Sequence, residues 1–576
     1  MTRSSKIDAY RRATSPLPER HWIWPLYGQG LESLGRDGQP IAVPLPIPGP
    51  DELLVRHDAV GLCFSDTKVI SAGESHPRLN GRNMRENPVV LGHEVALTVV
   101  AVGECLLDRF SCGERYIIQA DIYYQGIGLA YGYALQGGLS QYNVVGKEIL
   151  NGDEGCYLLP ISEETGYAQG ALTEPWACVV ASYGIAYRTR WKGGGRVLVA
   201  AGPATDPATS LGDPFDPEDL PSEIVALGLP ERLKVELLSA AGERGVTCVS
   251  ADTLEGLPGG AWDDIVLLGP DAALYERLEP LAARGAILAL IGAEGLDAPA
   301  QVDIGRLHYD HIGLLGTAST RIEAAYAPIR GDLLPGGRLA LVGAAGPMGQ
   351  MHFQRALQAD TPPRLIVATS RVMDRLALLP AKFAELIASH SNETQVLTMA
   401  SQGRQPKAFN RQMWDATEGE GYDDVIILAP SALVVSDALA MMASGGVVNV
   451  FAGLPRGTRG PLDLCAVVER GVRLVGSSGS LIGDLRHMLD VTETGALDPN
   501  LSVVAIAGLC AAREGLEGVM NSRYPGKVVI YPQVLDFPLT MLSDLEDRLP
   551  RVHALLGPNA SWTVAAERAF LEELLP

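Results

Sequence analysis

The stretch GGRLALVGAAGPMGQMHFQRAL, residues 336–357, predicts a strand, a glycine turn and a helix in immediate succession. Its spacing is G-x-x-G-x-x-G, so an alanine stands where the commoner G-x-G-x-x-G has its first glycine. Glycines let backbone N–H groups approach a pyrophosphate, and a helix N-terminus favours its negative charge. The turn therefore predicts a dinucleotide site in an α/β domain. The candidate cofactor-binding residues in it are Gly343, Gly346, Pro347, Met348 and Gly349.

The α/β region that begins near residue 190 repeats itself. The last two matching pairs are 160 residues apart, whereas the first is 144 apart, so the first copy lacks about 16 residues after its turn. We interpret the region as two tandem Rossmann-like domains with parallel sheets. The alternative is two independent α/β units that share a style of turn. The matching pairs are GGGRVLVAAGP (193–203) with GGRLALVGAAGP (336–347), the segments from WDD (262–295) and YDD (422–455), and VDIGRLHYDHIGLLGTAST (302–320) with LDLCAVVERGVRLVGSSGS (462–480).

The first copy departs from the dinucleotide pattern at its turn. Residues 202–207, GPATDP, lack the last glycine, and Asp206 places a carboxylate where phosphate oxygens would lie. Pro207 also removes an N–H donor. We expect this copy to be a degenerate dinucleotide fold, kept for packing, oligomerisation or substrate closure. The alternative is that it binds a different ligand.

The end of the next strand in the second copy bears on cofactor choice. NAD-specific enzymes place an acidic residue there to hold the ribose diol. This chain has Ser370-Arg371 instead, with Arg375 one turn later and no carboxylate before Asp374. A hydroxyl beside an arginine suits a 2′-phosphate, so we favour NADP(H) over NAD(H). Alternatively, the arginine is a solvated loop residue that stacks on adenine with either cofactor.

A second pattern lies in the N-terminal third of the chain. Cys63 in GLCFSD, His93-Glu94 in VVLGHE and Glu174 in TEPWAC supply the N, S and O ligands that a catalytic zinc requires. Cys63 as thiolate and His93 as neutral imidazole are the safest ligands. Which of Glu94 and Glu174 gives way to water stays open. The alternative is a buried cysteine and a salt-bridged His-Glu pair in a β-rich domain.

These motifs, with the segments VVAVGE, GERY and QGGLSQY, resemble the zinc-dependent medium-chain dehydrogenase/reductase superfamily. The Glu174-Pro175 dipeptide is most similar to the polyol branch, the sorbitol and threonine dehydrogenases. GLCFSDTK, SHPRLNGRN and GPMGQMH are similar to sugar-phosphate reductases such as L-sorbose-1-phosphate reductase. The resemblance covers roughly residues 40–190 and resumes near the C-terminus. It implies a β-rich, GroES-like barrel beside the Rossmann-like domains.

The resemblance also assigns roles near the zinc motifs. Ser65 would be the first proton carrier, and Asp66 is expected to brace a loop or a ligating histidine. The superfamily often has a relay histidine where this chain has Lys68, which would relay protons, hold an anionic substrate group, or be a surface lysine. Three arginines are candidates for a phosphate pocket or for solvated surface: Arg78, Arg82 and Arg85.

The pattern changes along the chain predict four segments. Residues 1–190 form the zinc-binding, β-rich catalytic domain, and residues 191–334 form the degenerate first copy. Residues 335–499 form the cofactor-binding second copy. Residues 500–576 return to complete the catalytic domain and add a helical tail.

Composition excludes several classes of function. A net charge of −22 over 576 residues argues against a basic surface for nucleic acid or anionic membrane. No signal peptide and no 20-residue apolar run is evident, so we expect a soluble cytoplasmic protein. The eight cysteines include no C-x-x-C pair, and we expect one catalytic zinc without a structural one. A homo-oligomer is also expected.

We therefore expect a zinc- and NAD(P)-dependent oxidoreductase that interconverts a secondary alcohol and a ketone. Its small-molecule substrate would be a polyol, a sugar or a sugar phosphate. One alternative is a redox-neutral epimerase or lyase with tightly held NAD(P). Another is a non-catalytic sensor on a dehydrogenase scaffold.

Overall fold

A computed structural model describes residues 6–184, 188–328 and 330–576. The chain divides into two compact units. One comprises Met1–Ala181, Gly346–Met351 and Gly479–Pro576, and the other comprises Ser182–Ala345 and His352–Ser478. Among the described residues, no helix combines the length and apolar character that crossing a bilayer requires.

The strands of the described residues are β1 Arg20–Ile23, β2 Pro25–Leu26, β3 Ile41–Pro44, β4 Leu53–Gly61, β5 Val89–Val90, β6 Glu94–Val102, β7 Arg115–Ile118, β8 Tyr123–Tyr124, β9 Ile127–Gly128, β10 Tyr142–Val145, β11 Leu158–Pro160, β12 Arg196–Ala201, β13 Glu223–Leu227, β14 Thr247–Ala251, β15 Trp262–Leu268, β16 Ala282–Ile291, β17 Ala300–Asp303, β18 Gly313–Thr317, β19 Arg338–Val342, β20 Leu365–Ser370, β21 Gln395–Ala400, β22 Tyr422–Ile427, β23 Met442–Val450, β24 Arg459–Leu462, β25 Arg473–Gly476, β26 Val503–Gly508, β27 Lys527–Tyr531 and β28 Thr540–Met541.

The α-helices are α1 Lys6–Arg11, α2 Phe64–Ala72, α3 Lys147–Leu150, α4 Tyr167–Ala171, α5 Thr173–Ala181, α6 Glu231–Glu243, α7 Ala272–Leu278, α8 Ile304–Tyr309, α9 Pro347–Leu357, α10 Met373–Leu376, α11 Leu378–Lys382, α12 Ala384–Ser389, α13 Pro406–Asp415, α14 Ala432–Ala440, α15 Cys465–Glu469, α16 Ile482–Glu493, α17 Ala512–Met520, α18 Leu545–Arg548, α19 Pro550–His553 and α20 Val564–Leu574.

The first unit is built around an eight-stranded sheet in the order β11-β7-β6-β4-β27-β26-β28, with β10 also paired to β4. Every residue of β4 is buried, including Arg56, His57 and Asp58 at its centre, whose side chains form hydrogen bonds. The C-terminal strand β27 pairs antiparallel with β4, where Val529 faces Gly61 and Ile530 faces Val60. The end of the chain therefore supplies a central strand to the N-terminal β-rich domain.

The second unit holds a twelve-stranded sheet in the order β14-β13-β12-β15-β16-β18-β25-β23-β22-β19-β20-β21. Numbered within each copy, both halves follow the strand order 3-2-1-4-5-6 of the Rossmann fold. The two sixth strands, β18 and β25, meet antiparallel at Leu314 and Leu474. The predicted tandem Rossmann-like fold is confirmed, and the copies share one continuous sheet.

Equivalent polar contacts refine the internal alignment. The backbone N–H of Arg196 donates to Asp263 at 3.0 Å, and that of Arg338 donates to Asp423 at 2.8 Å. The aspartates are 160 residues apart, but the arginines are 142 apart. Aligning the Gly202-Pro203 and Gly346-Pro347 dipeptides instead gives an offset of 144 residues. The first copy therefore lacks two residues between its first strand and its Gly-Pro dipeptide, in addition to the residues that it lacks after that dipeptide.

Contacts between the copies are reciprocal. A Cβ on Gly295 would lie 2.3 Å from Cys465 Sγ, and a Cβ on Gly305 would lie 2.3 Å from the Pro455 carbonyl oxygen. The 160-residue repeat maps Gly295 onto Pro455 and Gly305 onto Cys465. Each copy thus presents the same position to the other, as in an isologous two-fold interface.

Candidate functional site

Three of the predicted zinc ligands meet in the first unit. The ligand atoms of Cys63, His93 and Glu94 all lie within 4.8 Å of one another. Cys63 caps the N-terminus of α2, and Glu94 is the first residue of β6. His93 and Glu94 are buried, whereas Cys63 is half-buried. The site therefore joins a helix start to a strand start, and it is reached from the side of the thiol.

Asp66 holds the two motifs together. Its Oδ1 atom accepts hydrogen bonds from His93 Nδ1 at 3.1 Å and from the Gly92 N–H at 3.2 Å. Its Oδ2 atom accepts the Cys63 N–H at 3.0 Å. Because Nδ1 is engaged with a carboxylate, the Nε2 atom of His93 is left to face a metal. The expected brace for a ligating histidine is thus present in the structure.

Glu94 is held by a cation that the sequence analysis did not identify. Its Oε1 atom forms a buried ion pair with Lys527, 433 residues later at the start of β27. Its Oε2 atom is buried without a hydrogen-bond partner. A Cβ on Gly61 would lie 2.1 Å from that atom, so a glycine on β4 is needed to accommodate the carboxylate.

Lys527 stays charged despite its complete burial. Burial favours the neutral amine, but the charges of Glu94, Cys63 and Glu174 raise the pKa of Lys527 above its ordinary value. The lysine in GKVVIY, residues 526–531, was the available sequence signal, because a lysine that opens a buried strand needs a partner.

Glu174 lies beside the three-residue cluster but outside the 4.8 Å set. It is a buried residue of α5, and its Oε1 atom is 3.8 Å from Cys178 Sγ. Burial raises its pKa to about 7, opposed by the charges of His93 and Lys527 and reinforced by that of Glu94. The predicted four-residue frame is therefore three clustered ligands with a neighbouring carboxylate.

The donor set fits a divalent metal. A thiol, an imidazole and a carboxylate are the S, N and O donors that zinc binds in proteins. The unpartnered Oε2 atom of Glu94 gives the same indication, because an orphaned buried carboxylate oxygen is costly.

Ser65 and Lys68 lie on α2 next to the ligands. Ser65 Oγ is 3.7 Å from Cys63 Sγ, a position suited to the predicted proton carrier. Lys68 is half-buried, and its Nζ atom lies 5.9 Å from the centre of the Phe64 ring. Their roles in catalysis stay predictions.

The glycine turn of the second copy requires glycine at position 343. Gly343 has a φ of +97°, and a Cβ there would lie 2.9 Å from the Ala429 N–H nitrogen. Helix α9 begins at Pro347, and proline is favoured at a first helical position because its missing N–H has no partner there. The strand, turn and helix predicted from the sequence are all present.

The residues predicted to contact the ribose of the cofactor lie at two different positions in the second copy. Ser370 ends β20 and is half-buried, and Arg371 is exposed just after it. Arg375 turns back to the glycine turn, where its Nη2 atom donates to the Ala345 carbonyl at 3.2 Å. Arg375 therefore supports the turn itself, whereas Ser370 and Arg371 occupy the strand end.

The first copy has lost the helix that follows its turn. In residues 188–328, no helix lies between β12 and β13. Thr205 donates its N–H to the Gly202 carbonyl at 3.2 Å and its hydroxyl to the Leu268 carbonyl at 3.0 Å. Asp206 accepts the Ala208 N–H at 2.7 Å. The donors of this turn thus bond to the turn itself and to the end of β15, in agreement with the predicted degeneracy.

The chain is similar to a known domain family, to known proteins and to solved structures. Residues 49–151 match the family described as the alcohol dehydrogenase GroES-like domain. The chain is 23% identical over 541 residues to mannitol-1-phosphate 5-dehydrogenase of Aliivibrio fischeri, covering 92% of this chain and 93% of that protein. It is 21% identical over 538 residues to L-sorbose 1-phosphate reductase of Klebsiella pneumoniae, with coverage of 92% and 93%. Among solved structures, 2R,3R-butanediol dehydrogenase from Bacillus subtilis matches with a TM-score of 0.49 at 14% identity, covering 89% of this chain and 99% of that one.

Proposed function

We propose that this chain is a zinc- and NAD(P)-dependent oxidoreductase of the medium-chain dehydrogenase/reductase superfamily. It would interconvert a secondary alcohol and a ketone on a polyol, a sugar or a sugar phosphate. The buried cluster of Cys63, His93 and Glu94 carries this proposal, because a thiol, an imidazole and a free carboxylate oxygen converge within 4.8 Å.

Cys63, His93 and Glu94 would hold the metal, with Glu174 beside them as a replaceable fourth donor. When bound, zinc supplies Lewis acidity toward the oxygen of the substrate. The roles of the protein side chains follow from their contacts. Asp66 orients the His93 ring through its 3.1 Å hydrogen bond.

Two groups can move a proton near these ligands. The Ser65 hydroxyl, 3.7 Å from Cys63 Sγ, would pass a proton from the substrate hydroxyl toward solvent. Glu174, whose pKa burial raises to about 7, can hold or release a proton near neutral pH. Lys527 does not serve as a base, because its ion pair with Glu94 keeps it protonated.

The nicotinamide cofactor would bind at the turn of the second copy. Gly343 to Gly349 lead from β19 into α9, whose N-terminus favours a pyrophosphate. Ser370 and Arg371 lie at the end of β20 and favour NADP(H), since neither repels a 2′-phosphate. The first copy would bind no dinucleotide, because its turn is closed on itself.

The sugar-phosphate class is supported by two relatives that match over more than nine-tenths of this chain. Their names describe a mannitol-1-phosphate dehydrogenase and an L-sorbose 1-phosphate reductase. We therefore propose phosphorylated polyols and ketoses as the first substrates to assay.

The decisive experiment combines metal analysis with a cofactor assay of the full chain. We expect one zinc per chain and NAD(P)H formation from a secondary alcohol. Cys63→Ser should lower turnover by at least about 1,000-fold and release the zinc while leaving the fold intact, because a metal at a cleft is not needed to hold the sheet. Cys105→Ser, at an exposed thiol, is the matched control. Active protein without metal, or turnover without any net change in NAD(P)H, would contradict the proposal.

A further inference from the structure

Helix α8 of the first copy packs on the end of β23 and on the loop that follows this strand in the second copy. His308 Nδ1 donates a hydrogen bond to the carbonyl of Val450, the last residue of β23, at 3.3 Å. A Cβ on Gly453 would lie 2.7 Å from the Tyr309 hydroxyl oxygen and 3.0 Å from His308 Nε2. The loop of residues 451–455 therefore fits closely against these two side chains.

The end of the neighbouring strand is approached just as closely. A Cβ on Gly476, the last residue of β25, would lie 2.4 Å from the Leu307 carbonyl oxygen. Two residues later, Ser478 Oγ lies 3.3 Å from His311 Nε2. The first copy thus contacts the carboxyl ends of the fifth and sixth strands of the second copy.

These strand ends belong to one half of the proposed cofactor site. A Rossmann fold consists of two mononucleotide-binding halves, and the dinucleotide lies outside the carboxyl ends of the strands. The strands β19 to β21 include the glycine turn and the ribose end of β20, so they would hold the adenine half. The other three strands, β22, β23 and β25, would hold the nicotinamide half. The contacts from α8 therefore fall on the side of the nicotinamide.

The contact at Gly453 is not repeated in the other direction. The 160-residue repeat gives its three residues different counterparts on the side that faces the first copy: Val468 for His308, Glu469 for Tyr309 and Ala293 for Gly453. By contrast, Gly316 repeats the close approach of Gly476, since a Cβ there would lie 2.6 Å from the Val467 carbonyl oxygen. The contact shared by both copies joins the sheet, whereas the unshared one faces the copy with the intact glycine turn.

Tyr309 is held in place from two sides. Its ring centre lies 4.5 Å from that of His308 and 5.1 Å from the Arg456 guanidinium carbon. Arg456 also forms an ion pair with Asp310 at 2.8 Å. An atom added at Gly453 would therefore move the loop more readily than it would move Tyr309.

We infer that His308 and Tyr309 of the first copy are positioning residues for the nicotinamide half of the cofactor that the second copy would bind. They fix the loop of residues 451–455, beside which that half would lie. The inference rests on the proposed function. It gives the degenerate first copy a role in that function without a dinucleotide of its own.

The test measures the binding of NADPH and of its adenine half, 2′,5′-ADP, to the full-length protein by calorimetry; NADH and ADP are used if NADH binds more tightly. Gly453→Ala introduces the Cβ that meets the Tyr309 hydroxyl, and Gly453→Ala/Tyr309→Phe removes the nearest atom again. His308→Leu removes the hydrogen bond to Val450. Glu469→Gln, at the exposed counterpart of Tyr309, is the matched control.

We expect Gly453→Ala and His308→Leu each to weaken NADPH binding about tenfold, because the loop is displaced in one and loses a hydrogen bond in the other. Binding of 2′,5′-ADP should change by less than about twofold, since the adenine half would lie on other strands. The double variant should regain most of the lost affinity, and the control should bind both ligands as the wild type does. Equal losses for NADPH and 2′,5′-ADP, or no recovery in the double variant, would overturn the inference.

The two proposals can fail separately. If the variants bind NADPH and 2′,5′-ADP as expected but no alcohol is oxidised by the wild type, the oxidoreductase function fails while the positioning role stands. If alcohols are oxidised but Gly453→Ala binds NADPH as tightly as the wild type, the function stands and the positioning role is wrong. A wild type that binds neither NADPH nor NADH would overturn both.

Discussion

The two halves of the twelve-stranded sheet share a strand order but differ in the segment after their first strand. In the second copy, β19 leads through glycines into the eleven-residue helix α9. In the first copy, β12 leads into a helix-free loop whose polar groups bond to one another. The copies therefore agree where residues build the sheet and diverge where a dinucleotide would bind.

The retained features of the first copy concern the scaffold. Its strand β18 pairs with β25, and its Gly295 and Gly305 pack closely on residues of the other copy. The sixth strand of the second copy is consequently covered within the chain, and the predicted homo-oligomer would use a different surface.

The largest expected effect separates the two turns. Gly346→Asp places a carboxylate at the N-terminus of α9, where no atom lies within 4 Å of the added Cβ. The fold should persist, but NADPH affinity should fall more than about 100-fold, or about 2.7 kcal/mol, through repulsion of the pyrophosphate. Ala204→Asp, at an exposed position of the other turn, should leave affinity and a stoichiometry of one cofactor per chain unchanged. Fluorescence titration of both variants with NADPH measures the affinity and the number of cofactors bound per chain. Binding of two cofactors per chain would contradict the proposed difference between the two turns.

A smaller effect tests the reciprocal interface. Gly295→Ala and Gly305→Ala each introduce a Cβ at 2.3 Å from an atom of the other copy. Overpacking of this kind costs about 1–3 kcal/mol, and the two variants should lose similar stability to urea. Gly242→Ala, an exposed helical position with open space, should be neutral or slightly stabilising. If only one of the two interface variants loses stability, the two contacts are similar in geometry but do not contribute equally to the stability of the protein.

The smallest expected effect concerns the ribose end of the second copy. Wild-type kcat/KM should be higher with NADPH than with NADH by about tenfold, because Arg371 can add a charge-assisted hydrogen bond to the 2′-phosphate. Ser370→Asp/Arg371→Ala should reverse the preference. Steady-state kinetics with both cofactors measures it. If the wild type and the double variant both use NADPH and NADH equally well, the end of β20 does not distinguish a ribose 2′-phosphate from a 2′-hydroxyl.

Much of the site could be predicted because its motifs are local. Cys63 and Asp66 are three residues apart on one helix turn, and His93 and Glu94 are adjacent, so short-range geometry sets their placement. Asp206 and Pro207 predicted that the turn after Gly202 departs from the dinucleotide pattern, although they did not predict the loss of the helix between β12 and β13 among residues 188–328. The segment boundaries, the roles of Ser65 and Lys68 and the cytoplasmic location stay predictions.

Other features were missed because they depend on contacts between distant residues. No local pattern pairs Lys527 with Glu94 across 433 positions, since the pairing exists only when β27 lies beside β4. Likewise, the sequence left open whether Glu94 or Glu174 gives way to water, and it is the packing of α5 that places Glu174 beside the three-residue cluster.

The sequence by itself determined the donor set, the glycine turn and the doubling of the Rossmann-like fold, because residue type and short spacing dictate local conformation and ligand chemistry. Only the tertiary structure decided that the two copies share one continuous sheet. It also decided that Glu94 keeps one oxygen unpaired while Lys527 holds the other. The physical reason is that strand pairing and buried charge balance depend on which distant segments burial brings together.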